Sequence, residues 1–141
     1  MRVLGLDVGS KTIGVACSDA LLLTAQAVRT VKRRTLKDDV AELAAICKER
    51  EVHRVVVGKP LHMNGDRSTN MDGIEELVAA LQKKLPETEM VYRDERLTTV
   101  MAQRQLTAAG VRGEKRKAMV DTIAAVFILQ NYLDAQGGSH G

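Results

Sequence analysis

An aspartate inside an apolar strand is the feature that most restricts how this chain can fold. Residues 3–8 are apolar except for Asp7, and they have the composition of a strand at the centre of a sheet. Residues 9–11 carry a turn signal, and the apolar run 12–17 predicts the second strand of a hairpin. A carboxylate buried in such a strand is costly to desolvate unless positive charge meets it. Asp7 is therefore either a functional residue or one that only hydrogen-bonds the adjoining Gly-Ser turn.

Length and composition indicate a single globular domain that stays where it is made. The chain has 141 residues, of which 45% are hydrophobic and 28% charged, the profile of a globular protein with a real core. We expect one domain over residues 1–134 and a flexible tail over 135–141. No apolar stretch has the length of a membrane span, and no basic-then-apolar leader opens the chain. A cytoplasmic protein is predicted.

The two cysteines do not form a metal site in the sequence. Cys17 falls in the second strand and Cys47 on the apolar stripe of a helix, so both are predicted to be small core residues. No histidine stands near either one at the spacing of a zinc ligand. Structural zinc is therefore not expected.

Charge is distributed unevenly along the chain, although the net charge is only +3. Residues 29–37 form a first basic cluster without an acid, and residues 112–117 form a second with one glutamate. Such clusters favour a phosphate backbone as partner, although each alone is also typical of a solvated loop. With no Trp, one Phe and two Tyr, the chain has few platforms for unpaired bases. If it binds nucleic acid, contacts to the backbone should dominate.

The remaining pattern alternates strands with helices. Further strands are predicted at residues 25–31, 54–58 and 89–93, and a helix capped by Thr35 precedes the fourth strand. A strand, a helix and a second strand imply a parallel, right-handed crossover. A helix ending at Pro86 and another from Thr98 or Thr99 to Gly110 flank the fifth strand. A mobile basic loop is expected at 111–116, followed by a mostly buried helix at 117–134.

Three acids occupy similar positions in separate elements. Asp7 lies in the first strand, Glu95 just after the fifth, and Asp121 in the apolar last helix. Each has an ordinary alternative, such as an ion pair with Arg96 or a favourable place near a helix N-terminus. If the three meet, they repel one another unless a cation lies between them. Oxygen ligands suit Mg²⁺ or Mn²⁺, and such a cluster is suited to phosphodiester hydrolysis.

Four motifs in order give the chain a resemblance to a known family. It resembles the YqgF/RuvX family of the ribonuclease-H-like superfamily, regarded as nucleases that mature the 5′ end of pre-16S rRNA and also described as resolvases of four-way DNA junctions. The resemblance runs from Val3 to Leu133 and rests on residues 5–16, on 57–61 with Asn64-Gly65, on 94–99, and on Lys117 with Val120-Asp121.

The resemblance implies a five-stranded mixed sheet in the order 3-2-1-4-5, flanked by helices, and a catalytic, metal-binding set of Asp7, Glu95 and Asp121. Many nucleases of the superfamily carry an acid at the end of the fourth strand, where this chain has Gly58. A glycine there leaves a path for an acid that follows the fifth strand. Glu95 is the first candidate for that acid, and Asp94 is its rival.

Basic and polar residues near these motifs are candidate contacts to the substrate backbone. Arg96 has the planar fork that binds a phosphate through two hydrogen bonds. The candidate substrate-binding residues are Lys11, Lys59, Asn64, Arg96, Lys115, Arg116 and Lys117.

Three alternatives stay open at this point. The Asp-x-Gly-x-Lys opening also resembles the phosphate loop of actin-like sugar kinases and chaperone ATPases, which need two such domains. The chain is otherwise either a nuclease or a non-catalytic binding module for ribosome assembly. For a nuclease the substrate is pre-rRNA or branched DNA. A symmetric junction requires a two-fold dimer, whereas trimming an RNA end allows a monomer.

Overall fold

The structure is a computed structural model that describes residues 1–9, 11–59, 71–94, 110 and 113–138, with only the backbone for 59, 71, 72, 94, 113–121, 137 and 138. Five strands and three helices are described. In chain order they are β1 (Arg2–Val8), β2 (Thr12–Ser18), β3 (Ala25–Lys32), α1 (Leu36–Glu49), β4 (Val52–Lys59), α2 (Met71–Lys84), β5 (Glu89–Asp94) and α3 (Gly113–Gly138).

The strands form one mixed sheet in the order β3-β2-β1-β4-β5. β2 pairs antiparallel with β1 and with β3, while β4 pairs parallel with β1 and with β5. This confirms the predicted fold. It also places β1 in the middle, where the near-continuous apolar sequence of a strand covered on both faces belongs.

The two faces of β1 pack against different helices. Leu4 and Leu6 belong to the larger core cluster, which includes apolar residues of α1 and α2. Val3 points to the other face and packs with Ala125 and Leu129 of α3. Because side chains alternate along a strand, Asp7 lies on the face that α3 covers.

α3 approaches β1 closely enough to exclude a side chain between them. A Cβ on Gly5 would lie 2.7 Å from the Cβ of Leu129 and 3.1 Å from the carbonyl oxygen of Ala125. Real Cβ atoms do not approach so closely. Gly5 therefore lets the helix lie directly on the strand, two residues before Asp7.

Two local predictions hold in detail. The Thr35 side chain caps α1 by accepting a hydrogen bond of 3.1 Å from the backbone N–H of Asp38. Cys17 and Cys47 are both buried and free of disulfides. Burial raises the pKa of the Cys47 thiol to about 12, so it stays protonated and serves as a small apolar side chain.

The largest difference from the predicted elements is the length of α3. It begins at Gly113 and ends at Gly138, whereas residues 117–134 were predicted. The expectation of a loop was therefore wrong for residues 113–116, which are helical, and residues 111 and 112 lie outside the described part. Charged residues such as Lys115 are good helix formers, and Ala135 also favours a helix, so nothing breaks it before the final glycines. The helix predicted from Thr98 or Thr99 lies outside the described residues.

Small shifts occur at the ends of all five strands. β4 differs most, spanning Val52–Lys59 where residues 54–58 were predicted. The other four strands each extend one residue beyond the prediction, β1 to Arg2, β2 to Ser18, β3 to Lys32 and β5 to Asp94. Strand ends read from local pattern are uncertain by this amount. Among the described residues, no helix is long and apolar enough to cross a membrane.

Candidate functional site

Asp7 is buried near the carboxyl end of β1, the central strand of the sheet, with 7% of its surface exposed. On β2 it stands opposite Gly14. On its other side β1 pairs with β4, where Leu6 is opposite Val57. The residue of β4 beside Asp7 is therefore Gly58. Both strands that flank Asp7 thus present a glycine on the α3 face. On either side, therefore, Asp7 has the backbone of a glycine as its neighbour in the sheet and no side chain, an arrangement typical of sites that a ligand approaches closely.

One hydrogen bond ties α3 to the row of residues that contains Asp7. Gly14 pairs with Asp7 on one side and with Thr30 of β3 on the other. The hydroxyl of Thr30 is hydrogen-bonded to the hydroxyl of Thr122 in α3. Thr122 is therefore at the same level of the sheet as Asp7.

A second contact gives the direction of the helix. Near the other end of the sheet, Arg54 Nη1 donates a 2.5 Å hydrogen bond to the hydroxyl of Tyr132. Arg54 pairs with Val3, four residues before Asp7. α3 thus runs antiparallel to β1 from the level of Asp7 to that of Val3.

This direction locates Asp121 within the fold. It precedes Thr122 and lies four residues before Ala125, one turn along the helix stripe that meets Gly5. The backbone of residue 121 is therefore on the α3 face and at the end of the sheet where Asp7 lies. The structure thus brings together two of the three predicted acids as positions in the fold.

The third predicted acid, Glu95, lies outside the described residues. The strand before it ends at Asp94, which pairs with Lys59 at the carboxyl end of β4. Because β1, β4 and β5 are parallel, their carboxyl ends share one edge of the sheet. The backbone of Asp94 is at that edge. The choice between Asp94 and Glu95 as ligand stays a prediction.

The predicted substrate contacts are described unequally. Lys11 is exposed in the turn between β1 and β2. Lys59 ends β4, and Lys115, Arg116 and Lys117 lie in the first turns of α3, with only their backbone described. Asn64 and Arg96 fall outside the described residues. Within the described part of the chain, no three His, Cys, Asp or Glu side chains form a metal-binding group.

An ion pair that was not predicted from the sequence lies at the same end of the sheet as Asp7. Arg33 Nε donates a 2.9 Å hydrogen bond to Asp39 Oδ2, and Asp39 is fully buried. Arg29 and Arg34 both pair with Glu42, at 3.3 and 3.5 Å. Three arginines of the first basic cluster therefore meet acids of α1. Helical spacing carried a signal for this, because Asp39 shares its helix face with Leu43 and Ile46.

Solved structures resemble this fold over nearly its full length. Thermus thermophilus RuvC in complex with a Holliday junction substrate matches with a TM-score of 0.64 and 14% identity, over 99% of this chain and 97% of that one. The Fowlpox virus resolvase in complex with Holliday junction DNA matches with a TM-score of 0.60 and 9% identity, over 96% and 99%. The sheet order is that of the ribonuclease-H-like fold, and an acid, Asp7, lies near the carboxyl end of its central strand.

Relatives by sequence identify the family. The family model described as RuvX, Holliday junction resolvase, matches residues 1–135. A Clostridium tetani protein is 48% identical over 135 residues, covering 96% of this chain and 97% of its own length. A Myxococcus xanthus protein is 47% identical, covering 96% and 89%. Both are provisionally named pre-16S rRNA nuclease.

The chain belongs to the RuvX family. It is a nuclease by that membership, a hydrolase of phosphodiester bonds. The match over almost all of the chain also decides against the ATP-handling alternative.

Proposed function

We propose that this protein is a cytoplasmic nuclease that uses Mg²⁺ or Mn²⁺ to process the 5′ end of pre-16S rRNA. The observation that carries the proposal is that Thr122 of α3 lies at the level of Asp7, linked to it through Thr30. In this proposal the carboxylates of Asp7 and of Asp121, the residue before Thr122, meet at that level. The names of the relatives point to the same substrate.

The residues at this end fit a hard divalent cation. Asp7 supplies carboxylate oxygens from a rigid central strand, and the glycines at 14 and 58 leave space around it. Asp121 and Glu95 complete the ligand set in the proposal, with Asp94 as the alternative to Glu95. Oxygen donors without cysteine or histidine favour Mg²⁺ or Mn²⁺ over zinc. When bound, such ions supply the positive charge that hydrolysis of a phosphodiester requires.

The protein's own part is to hold the substrate in line with the attacking water. Lys11 stands exposed three residues beyond the end of β1, and in this proposal its amine binds a phosphate near Asp7. Lys59 ends β4, the strand beside β1. In this proposal it contacts the substrate backbone together with Asn64 and Arg96. Positioning of this kind raises the rate because the translational and rotational entropy of the reacting groups is lost on binding and not in the chemical step.

The basic start of α3 supplies a second grip. Lys115, Arg116 and Lys117 lie in its first turns, where the helix dipole disfavours cations and favours anions. These positive charges destabilise the N-terminus of the isolated helix. A phosphate bound there would neutralise them and would itself be favoured by the helix dipole.

Replacing these three residues by glutamine should weaken binding and its salt dependence together. Each lost phosphate contact lowers the slope of log affinity against log salt by about 0.7 for single-stranded nucleic acid. We expect the triple variant to lose about two units of slope and to fold normally. A fluorescence anisotropy titration of a leader RNA at several salt concentrations measures this. An unchanged slope would show that these side chains do not contact the backbone.

The proposal is tested by metal-dependent cleavage of two substrates side by side. A pre-16S rRNA leader model and a four-way DNA junction are incubated with purified protein in Mg²⁺, in Mn²⁺ and in chelator. We expect cleavage of the leader only when metal is present, and its loss in the Asp7→Asn and Asp121→Asn variants. Asp38→Asn, an exposed acid on α1, and Asp134→Asn, an exposed acid on α3, are the matched controls.

Two other results are informative. Preferred cleavage of the junction would make the protein a resolvase acting as a two-fold dimer. Binding of RNA without cleavage, unchanged in both aspartate variants, would make it an assembly factor instead of an enzyme.

A further inference from the structure

The turn between β1 and β2 begins two residues after Asp7, and a residue of another strand holds it. Within the turn, the Gly9 N–H donates a 2.9 Å hydrogen bond to the carbonyl of Thr12. Arg33, just after β3, adds two more. Its backbone N–H donates to the Lys11 carbonyl at 2.9 Å, and its Nη1 donates to the Gly9 carbonyl at 2.8 Å. One residue thus binds both sides of the turn.

Asp39 fixes the guanidinium of Arg33 in place. Its Oδ2 accepts from Arg33 Nε at 2.9 Å, and its Oδ1 accepts from the Arg34 backbone N–H at 3.0 Å. Asp39 is fully buried, and its side chain is 1% exposed, against 22% for Arg33. A carboxylate so desolvated requires its partner, so the two side chains behave as one unit. The ion pairs of Glu42 with Arg29 and Arg34 are far more exposed and contribute little to the free energy of folding.

The pair acts from the side of the sheet opposite the candidate metal ligands. Asp39 belongs to α1, whose buried residues, such as Leu43, pack in the cluster that contains Leu4 and Leu6. Asp7 lies on the other face, beneath α3. Arg33 can therefore steady the turn without competing for the Asp7 carboxylate or for a cation bound to it.

We infer that Arg33 and Asp39 form a positioning unit that fixes the β1–β2 turn, and through it Asp7 and Lys11, for metal and phosphate. The inference rests on the proposed function. It makes Arg33 a positioning residue whose charge is already matched by Asp39, and not a contact to the substrate. Arginine suits this position because its Nε and Nη1 are separate donor nitrogens in a fixed plane, each bound to a different acceptor, whereas all the donors of lysine are on one nitrogen.

Three variants test the inference. Arg33→Lys keeps the charge and loses the second hydrogen bond. Arg33→Gln combined with Asp39→Asn removes both buried charges and keeps the net charge, so it should fold even where a single change would not. Arg34→Lys is the matched control, because that side chain is 57% exposed and, among the residues described, forms an ion pair only with Glu42, at 3.5 Å.

Hydrogen exchange reports on the turn independently of activity. In the Arg33 variants we expect the Gly9 and Arg33 amides to lose about tenfold of their protection, while core amides such as that of Leu6 keep theirs. Mn²⁺ affinity, measured by calorimetry, should fall by about tenfold, since residues that orient metal ligands typically matter by 10- to 100-fold. Arg34→Lys should change neither. Unchanged Gly9 protection and Mn²⁺ affinity would overturn the inference.

The salt dependence of RNA binding separates positioning from direct contact. The test is made in the Lys11→Gln background, because a displaced Lys11 would itself change the slope. Lys11→Gln alone should lower the slope by about 0.7, and adding the double change should lower it no further. A further drop would show that Arg33 itself contacts phosphate, against the inference. If the parent protein bound no Mn²⁺ and cut no RNA, the proposed function would fail, while the Gly9 amide would still report whether the unit holds the turn.

Discussion

Asp7→Asn is expected to lower the rate of leader cleavage by about a thousandfold. Under the proposed function, Asp7 is the metal ligand on the most rigid element of the site, and metal ions stabilise the transition state by several kcal/mol, each 1.36 kcal/mol being a factor of ten. Asparagine keeps the shape of the side chain and one oxygen but removes the negative charge. Single-turnover cleavage at saturating RNA measures the effect on the chemical step without product release.

The same variant should leave the fold intact. The Asn side chain has nearly the same volume and carries no charge to desolvate at a position that is 7% exposed. We therefore expect the free energy of unfolding in urea to change by no more than about 1 kcal/mol. Asp38→Asn gives the reference for removal of an exposed acid. Full activity in Asp7→Asn, with parental stability, would mean that the catalytic metal is held elsewhere.

Of the single substitutions proposed for this protein, Gly5→Ala is expected to lower the free energy of unfolding most. The added Cβ would meet the Leu129 Cβ at 2.7 Å and the Ala125 carbonyl oxygen at 3.1 Å. One of these atoms belongs to the helix backbone, so a rotamer change cannot relieve the contact and α3 must move away from β1. Overpacking of a tight core typically costs about 1–3 kcal/mol, and we expect the upper end of that range.

Gly73→Ala is the control for this substitution. Gly73 lies in α2, and a Cβ there would have no atom within 4 Å. Alanine in a helix is favoured over glycine, so this variant should be stabilised by about 0.5–1 kcal/mol. Urea unfolding of the two variants, followed by circular dichroism, compares the same chemical change at a crowded and an open position. Destabilisation of equal size in both would show that α3 does not press on β1.

Activity adds a second readout for Gly5→Ala. The stripe of α3 that meets Gly5 continues one turn to Asp121. A helix pushed off the strand would carry Asp121 away from Asp7, so cleavage should fall by more than the unfolded fraction explains. Parental cleavage by the folded fraction would indicate that Asp121 is not a metal ligand.

Local pattern was enough to predict most of the fold and the central acid. The apolar run around Asp7 marked β1 as a buried strand, and the aspartate stood out because a carboxylate rarely belongs there. Thr35 was identifiable as a cap from its own residue type. The order of the strands came from the family resemblance, because periodicity within a strand does not say which strand lies beside it. The roles of Asp121 and Glu95 stay predictions.

Other features required the folded chain. Arg33 was read as part of a basic cluster without acids, and in the structure it is bound to Asp39 of α1. Helix periodicity places Asp39 on a buried face but does not name its partner. The ends of α3 were likewise missed, because the pattern marks the buried turns and says less about the solvated ones.

The sequence by itself determined which residues are buried, which face of each element they occupy, and that an acid stands in the central strand. These are local properties, set by side-chain chemistry and by the repeat of a strand or a helix. Only the tertiary structure decided that Thr122 meets Thr30 beside Asp7, and that Arg33 closes over the Gly9 turn. Such contacts join residues far apart in the chain, and their geometry exists only once the sheet and its helices have packed together.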